Sequence, residues 1–378
     1  MKFRYSAPSV MIAAVIVVVA TISVVSNVIS HRMVAAFEKG QFALMSSMLE
    51  SKLRDAEGKA IATAEAIAAM PAVRKAFADK SRAELLLATR DVFGVQREKY
   101  GISQAQFHVA PAESFLRVHR PDNFGDDQSK FRQMVVEVNR EKAIRKGIEI
   151  TTSGIGVFGT LPMSDAQGHA VGSFEVGMEI GPLLDELKKA YGFELALYMD
   201  EKALRETAKS MKTDIFTDQN RVGPYVKFYS THPELMRSLV TDGDIHITED
   251  THYLRDGSSV PHGVLLQPLY NYAKKQIGVV AVAADFSQTR SADGQAVVWQ
   301  TLLGFISAVL LTGVVLVVVR GQLLRPMAVL ATQVAALADG DANTQALNTD
   351  DWCEEMQELS KHSVRLAQRA ERSLGDAA

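Results

Sequence analysis

Between residues 108 and 175 the chain gathers side chains that can move protons or grip anions. The stretch SFLRVHRPDNFGDDQSKFR, residues 114–132, alone holds Arg117, His119, Arg120, Asp122, Asp126, Asp127, Lys130 and Arg132. Three chemistries are conceivable. A metal or acid–base site would draw on His108, His119, Asp126 and Asp127, but adjacent aspartates point different ways on most backbones, and no HExxH or regular carboxylate spacing accompanies them. GIGVFG at 154–159 fits G-x-G-x-x-G, yet a dinucleotide loop must open a helix, and here Pro162 and the turn SDAQG follow. The third chemistry is anion recognition. Arg117 and His119 alternate on one face of a strand, Arg132 stands near the next helix, and with Glu149 they form a candidate pocket for a carboxylate-bearing ligand. The competing reading is an internal salt-bridge network with Glu149, Glu175 or the aspartates. Asp126 or Asp127 is expected to cap the helix opening at SKFRQMVVEVN.

The elements that must position these groups can be read from periodicity. Residues 33–98 repeat apolar side chains at helical spacing, with Pro71 as a kink or break. Such a helix either packs along its own domain or forms a parallel dimer seam. From Ala105 the period falls to two, and QFHVA, SFLRVH, GVFGTLPM and HAVGSFEVGMEI read as strands. SKFRQMVVEVNREKA and IGPLLDELKKAYG read as helices, the second closed by Gly192. FELALYMD, HGVLLQPLY and KQIGVVAVAADF then repeat the strand pattern, with THPELMRSLV as a helix. Two α+β lobes in series are expected.

At either end lies a run of 26 uncharged residues, between Arg4 and His31 and between Asp293 and Arg320. About 20 apolar residues span a bilayer core, so each is long enough to cross. The first exceeds a signal-peptide core and lacks a small-x-small cleavage site, so it reads as an uncleaved anchor. Lys2 and Arg4 precede the first span, and Arg320 and Arg325 follow the second, placing both termini in the cytoplasm and residues 31–293 outside it. The only cysteine, Cys353, falls on the cytoplasmic side, so no disulfide or cysteine-based zinc site is expected. A net charge of −3 and the lack of an aromatic-interleaved basic patch argue against nucleic acid. No cofactor is expected.

The stretch from His108 to Gly177 resembles the double Cache sensory domain of bacterial receptors and sensor kinases. The residues carrying the likeness are His108, Pro111, Ser114 to Arg117, His119, Pro121 and Phe124 to Asp127, then Phe131, Arg132, Asn139, Gly147, Glu149, Gly156, Gly159, Pro162, Gly172, Glu175 and Gly177. Gly125, Asp126, Asp127, Gly147, Gly159, Pro162 and Glu175 are thereby structural motif positions. The resemblance implies an α+β fold: a long N-terminal membrane-anchored helix, two PAS-like mixed α/β lobes in tandem and two transmembrane helices. It also implies arginines where this chain has Thr151-Thr152 and Phe158, which puts Phe158 at the ligand position and removes part of an anion grip.

The segment after the second span is similar to a HAMP module, through Arg325-Pro326, the turn at Ala338–Asp341 and acidic Asp350-Asp351 opening a second helix. The expected layout is a cytoplasmic N-terminus at 1–6, a span at 7–30, a helical stalk at 31–104, a membrane-distal lobe at 105–191 and a membrane-proximal lobe at 192–290. A span at 295–319, a HAMP-like stub at 320–372 and a disordered tail at 373–378 follow. Only 28 residues remain from Asp351 onward, so no output domain is expected. The expected function is that of a non-enzymatic, homodimeric, receptor-like sensor in the bacterial inner membrane, working through a small anionic ligand and a separate cytoplasmic protein. The alternative is a receptor scaffold reused to shape or position membranes, similar to the liposome-tubulation type of magnetosome-associated protein, with residues 31–293 in an organelle lumen.

Overall fold

A computed structural model describes residues 3–211, 213–257, 260–338, 349 and 351–375. The chain divides into two compact units, Ala35–Arg290 and Met1–Val34 with Ser291–Ala378.

In the larger unit, helix α1 (Phe3–Ala68) supplies a spine. From residue 42 its buried apolar side chains are Phe42, Met45, Leu49, Ala56, Ala60, Ala64 and Ile67, spaced by three, four or seven, so one stripe faces inward. Pro71 starts α2 (Pro71–Ala78), because a proline lacks an N–H that a first-turn residue would leave unpaired anyway. α3 (Arg82–Tyr100) ends on Gly101, whose φ of 73° is the left-handed stop that glycine takes without strain.

The first lobe follows. β1 (Ile102–Val109), β2 (Glu113–Arg117), β3 (Arg145–Thr151), β4 (Gly154–Ser164) and β5 (Ala170–Glu179) form one antiparallel sheet in the order β2-β1-β5-β4-β3, with α4 (Gln133–Glu141) crossing between β2 and β3. α5 (Ile180–Tyr191) leads to the second lobe. There β6 (Glu194–Asp200), β7 (Arg221–Val222), β8 (Tyr225–Ser230), β9 (Thr251–Gly257), β10 (Val260–Tyr270) and β11 (Gln276–Asp285) pair in the order β7-β8-β6-β11-β10-β9. α6 (Glu201–Thr207) and α7 (Pro233–Leu239) lie between its strands. This is the expected α+β fold with two tandem lobes.

The spine runs along both sheets. Near its start Phe42 meets Phe286 with ring centroids 5.4 Å apart, and Ser46 donates to Asp250 at 2.9 Å. Further along, the helix backbone lies directly on β4: a Cβ at Gly159 would come within 2.5 Å of the Ile61 nitrogen. The lobes also clasp each other. Tyr272 N donates to the Ile148 carbonyl at 3.0 Å, its hydroxyl donates to Glu137 at 3.2 Å, and Ser210 N donates to the Thr152 carbonyl at 2.8 Å. Gly147, at φ 142°, leaves room for Tyr272, whose Cβ would lie 2.9 Å from any Cβ there.

In the other unit, both α1 and α8 (Ser287–Val318) contain stretches long and apolar enough to cross a membrane. A π-helical turn over Val319–Leu324 precedes α9 (Arg325–Ala338). It falls where Pro326 has no N–H to offer the Gln322 carbonyl, and the Cys353 thiol lies 3.9 Å from that oxygen. α10 (Glu354–Gly375) begins three residues after Asp351 and takes in residues 373–375 of the expected disordered tail. Residues 339–341 of the expected HAMP turn, Asp350 and residues 376–378 lie outside the described residues.

Two expectations are corrected. The helix after the charged stretch opens at Gln133 rather than near Ser129, so neither Asp126 nor Asp127 caps it. Asp126 is drawn to Arg117, and Asp127 closes a turn by accepting the Ser129 N–H at 2.9 Å. β3, β7, β8 and β9 lie outside the strands read from alternation.

Candidate functional site

Alternation places Gln104, Gln106 and His108 of β1, Ser173 and Glu175 of β5, Phe158 and Thr160 of β4, and Glu149 and Thr151 of β3 on one face of the first sheet. The registers agree: Gln106 lies opposite both Arg117 and Glu175, and Glu175 opposite Thr160. The other face is apolar, with Phe107 stacked 4.2 Å from Phe174 and 5.2 Å from Phe77. A polar sheet face normally meets water. Here Arg132, at the start of α4, descends onto it and is 3% exposed, with Glu149 at 5% and Glu175 at 1%.

Arg132 bridges the two carboxylates. Its Nε donates to Glu149 at 3.0 Å, a terminal nitrogen donates to Glu175, and the guanidinium lies 4.6 Å over the Phe158 ring. Glu149 also accepts the Met134 N–H at 2.9 Å, and Thr160 donates to Glu175 at 3.2 Å. Burial works against ionising Glu175, but the charge of Arg132 and its hydrogen bond outweigh it and hold the carboxyl below the ordinary carboxylate value. At Glu149 burial prevails over the pull of Arg132, with Glu175 adding repulsion, and the pKa rises. His108 is fully buried with Nε2 3.9 Å from Glu175 Oε1, and neither ring nitrogen has a hydrogen-bond partner among the described residues. Burial holds its pKa below the ordinary histidine value.

Arg117 does different work. It donates through both terminal nitrogens to Asp126 at 2.7 Å and to the Asn123 carbonyl at 2.8 Å, which folds the loop after β2 back on itself. Asp126 is held at about 2, chiefly by the Arg117 hydrogen bonds. Gly125, at φ 85°, turns that loop and donates to the Ser114 carbonyl at 2.7 Å, and Arg82 covers Phe124 at 3.1 Å.

Open space lies at the end of the sheet that faces the second lobe. A cleft of about 610 Å³ is lined there by Arg97, His119, Arg120, Thr151, Glu179 and Tyr229, among others. Of the sequence-predicted residues, the structure brings Arg132, Glu149, Phe158 and Glu175 together in a closed network, sets Arg117 beside Asp126, and leaves His119 at the cleft. Gly147 and Gly159 serve close backbone approaches, and Pro162 lies in β4 opposite Ser173. Sequence reasoning missed Arg97, Glu179 and Tyr229. They come from α3, the end of β5 and β8, and no local pattern links them.

Two antiparallel sheets strapped to one long helix, one of them with a polar face sealed beneath a loop, make up a tandem sensory module. The chain belongs to the double Cache family: residues 47–289, more than half of its length, match the double sensory domain of two-component sensor kinases. No curated protein matches the sequence. Among solved structures, the ligand-binding domain of the Campylobacter jejuni chemoreceptor Tlp3 in complex with 4-methylisoleucine is 10% identical, with a TM-score of 0.43 over 69% of this chain and 94% of that one. The periplasmic domain of Vibrio cholerae LuxQ is 12% identical, with a TM-score of 0.38 over 64% and 99%. The sensor domain of the V. cholerae histidine kinase DctB is 8% identical, with a TM-score of 0.38 over 65% and 98%. The family match ends at residue 289, so the HAMP-like and magnetosome-type likenesses rest on sequence alone.

Proposed function

We propose that the protein is a non-enzymatic, receptor-like membrane sensor whose two lobes lie outside the cytoplasm and bind a small anionic ligand. It works as a homodimer and hands its signal to a separate cytoplasmic protein. The observation that carries this reading is the double sensory domain at 47–289, framed by two helices apolar and long enough to cross a membrane. Lys2 and Arg4 before the first and Arg320 and Arg325 after the second support the orientation. The cleft supplies ligand-sized space, and α1 is one continuous helix from the first apolar stretch to the sheet. A ligand shifts such a receptor only through unequal affinity for two states.

The test is thermal unfolding of the full chain in lipid nanodiscs against a broad metabolite panel. A true ligand at a hundred times its Kd stabilises by about 2.7 kcal/mol. At roughly 2–4 °C per kcal/mol for a region of this size, Tm rises by about 5–10 °C. A panel without any shift, together with protease resistance of residues 31–293 in spheroplasts, refutes the reading.

A further inference from the structure

The cleft between the lobes lies beyond the sealed network of Arg132, Glu149 and Glu175, none of which lines it, and its lining selects a class of ligand. Arg97 reaches it from the last turn of α3 and Arg120 from the loop after β2; neither guanidinium has an ion-pair or hydrogen-bond partner among the described residues. In a fold where Arg117 and Arg132 are tied to carboxylates, two untied arginines lining one cavity stand out. His119 also lines the cavity, anchored by Nδ1 at 3.2 Å from the Ala105 carbonyl. α5 starts on the same wall with no side chain capping its first turn, so the positive end of a helix dipole faces the space.

Part of the remaining wall is apolar, from Ile102, Ile155, Pro182 and Phe228, and part is polar, from Gln104, Ser153 and others. One carboxylate, Glu179, also lines the cavity and takes part in no ion pair among the described residues. A cavity of about 610 Å³ lies within the usual range for small-molecule sites, roughly 300–1,000 Å³.

We infer that this cleft binds a small organic monoanion, a carboxylate on an apolar body. Arg97 and Arg120 hold the carboxylate, the apolar wall covers the body, and Glu179 repels a second negative charge. The inference rests on the receptor reading and names the site and ligand class within it. Ser210 N, from the second lobe, bonds to the Thr152 carbonyl, and Thr152 stands between the cleft residues Thr151 and Ser153. Occupancy therefore acts on the turn between β3 and β4, which helps hold the lobes together.

Calorimetry on the full chain in nanodiscs, with isovalerate, benzoate and succinate as probes, tests it. Isovalerate or benzoate is expected to bind and succinate to bind about tenfold more weakly or worse, since the second carboxylate meets the like charge of Glu179 in a partly desolvated cleft. Arg97→Ala/Arg120→Ala is expected to lose at least about tenfold in monocarboxylate affinity, with Arg120→Lys in between. Glu179→Gln is expected to narrow the gap to succinate. Both arginines are exposed and unpaired, so the double variant should keep the wild-type Tm without ligand. A monocarboxylate that binds wild type and double variant equally overturns the site. Preference for succinate overturns the ligand class. If another metabolite binds while both monocarboxylates fail, the inference falls and the receptor reading stands; if nothing in a broad panel binds, the receptor reading falls as well.

Discussion

Replacing Arg132 by methionine tests whether the polar face of the first lobe is held shut by charge. The substitution keeps much of the side-chain volume but removes the cation between Glu149 and Glu175, whose side chains are 6% and 1% exposed. Breaking a buried ion pair by deleting one partner costs about 3–5 kcal/mol, because the remaining charge is left unsolvated. At roughly 2–4 °C per kcal/mol, Arg132→Met should lower Tm by about 6–20 °C. The loss should shrink at lower pH, where the two orphaned carboxylates take up protons instead of staying charged. The triple variant Arg132→Met/Glu149→Gln/Glu175→Gln should recover more than half of it. Each glutamine oxygen still accepts the bond that Met134 N–H or Thr160 Oγ donates in the wild type. The assay is urea unfolding of the full chain, with hydrogen exchange read over β3, β4 and β5. An Arg132→Met variant within about 1 kcal/mol of wild type, or a triple variant no better than the single, refutes the claim that paired charge closes this face.

Three further outcomes follow from the same geometry. His108 is kept neutral, with a folded pKa below its unfolded value near 6.5, so its contribution is intact above that pH and is lost as pH falls below it; His108→Gln should flatten the decline of the urea midpoint from pH 6.5 downward, and an unchanged slope would show that another group sets it. Gly159→Val places a side chain where Ile61 backbone atoms lie 2.5 Å away and should cost about 1–3 kcal/mol or more by lifting α1 from β4, whereas Gly168→Ala, with nothing within 4 Å, should cost no more than the left-handed strain of about 1–2 kcal/mol. Tyr272→Phe removes the hydroxyl given to Glu137 and should lower stability by about 0.5–1.5 kcal/mol, with faster exchange confined to α4 and its neighbours; no change in α4 would deny the clasp.

Much of the architecture could be read from the residues because it is local. The helical period before Pro71, the break at Pro71 and the alternations of β1 and β5 are each local patterns, although the helix buries Phe42, Met45 and Leu49 rather than Phe37 and Leu44. β3 escaped because RKGIEIT opens with two charges and Gly147, whose missing side chain makes room for Tyr272 of the other lobe. β8 and β9 escaped because YVKFYS and THYLRDG mix polar and apolar residues without strict alternation. The opposite failure befell the polar phase of β1 and β5. Gln106, His108, Ser173 and Glu175 have the spacing of a solvent face, and only the segment from residue 118 to 141, folded over them, makes that face interior.

That reversal bears on how the module can work. A buried polar face is costly unless its charges are answered, and here Arg132, Thr160 and the Met134 N–H answer Glu149 and one oxygen of Glu175 from within the chain. Glu175 Oε1 faces His108 without a hydrogen bond among the described residues. An anionic ligand entering that face would meet Glu149 and Glu175 and would have to compete with them for Arg132. At the cleft the balance is different: Arg97 and Arg120 have no partner to surrender among the described residues, so an anion there adds contacts without breaking any of those described. The same cleft is flanked by Thr151 and Ser153 on one lobe and by Phe228 and Tyr229 on the other. A ligand gripping both sides gains affinity only in the arrangement that brings them together, and that unequal affinity is what turns binding into a change of state.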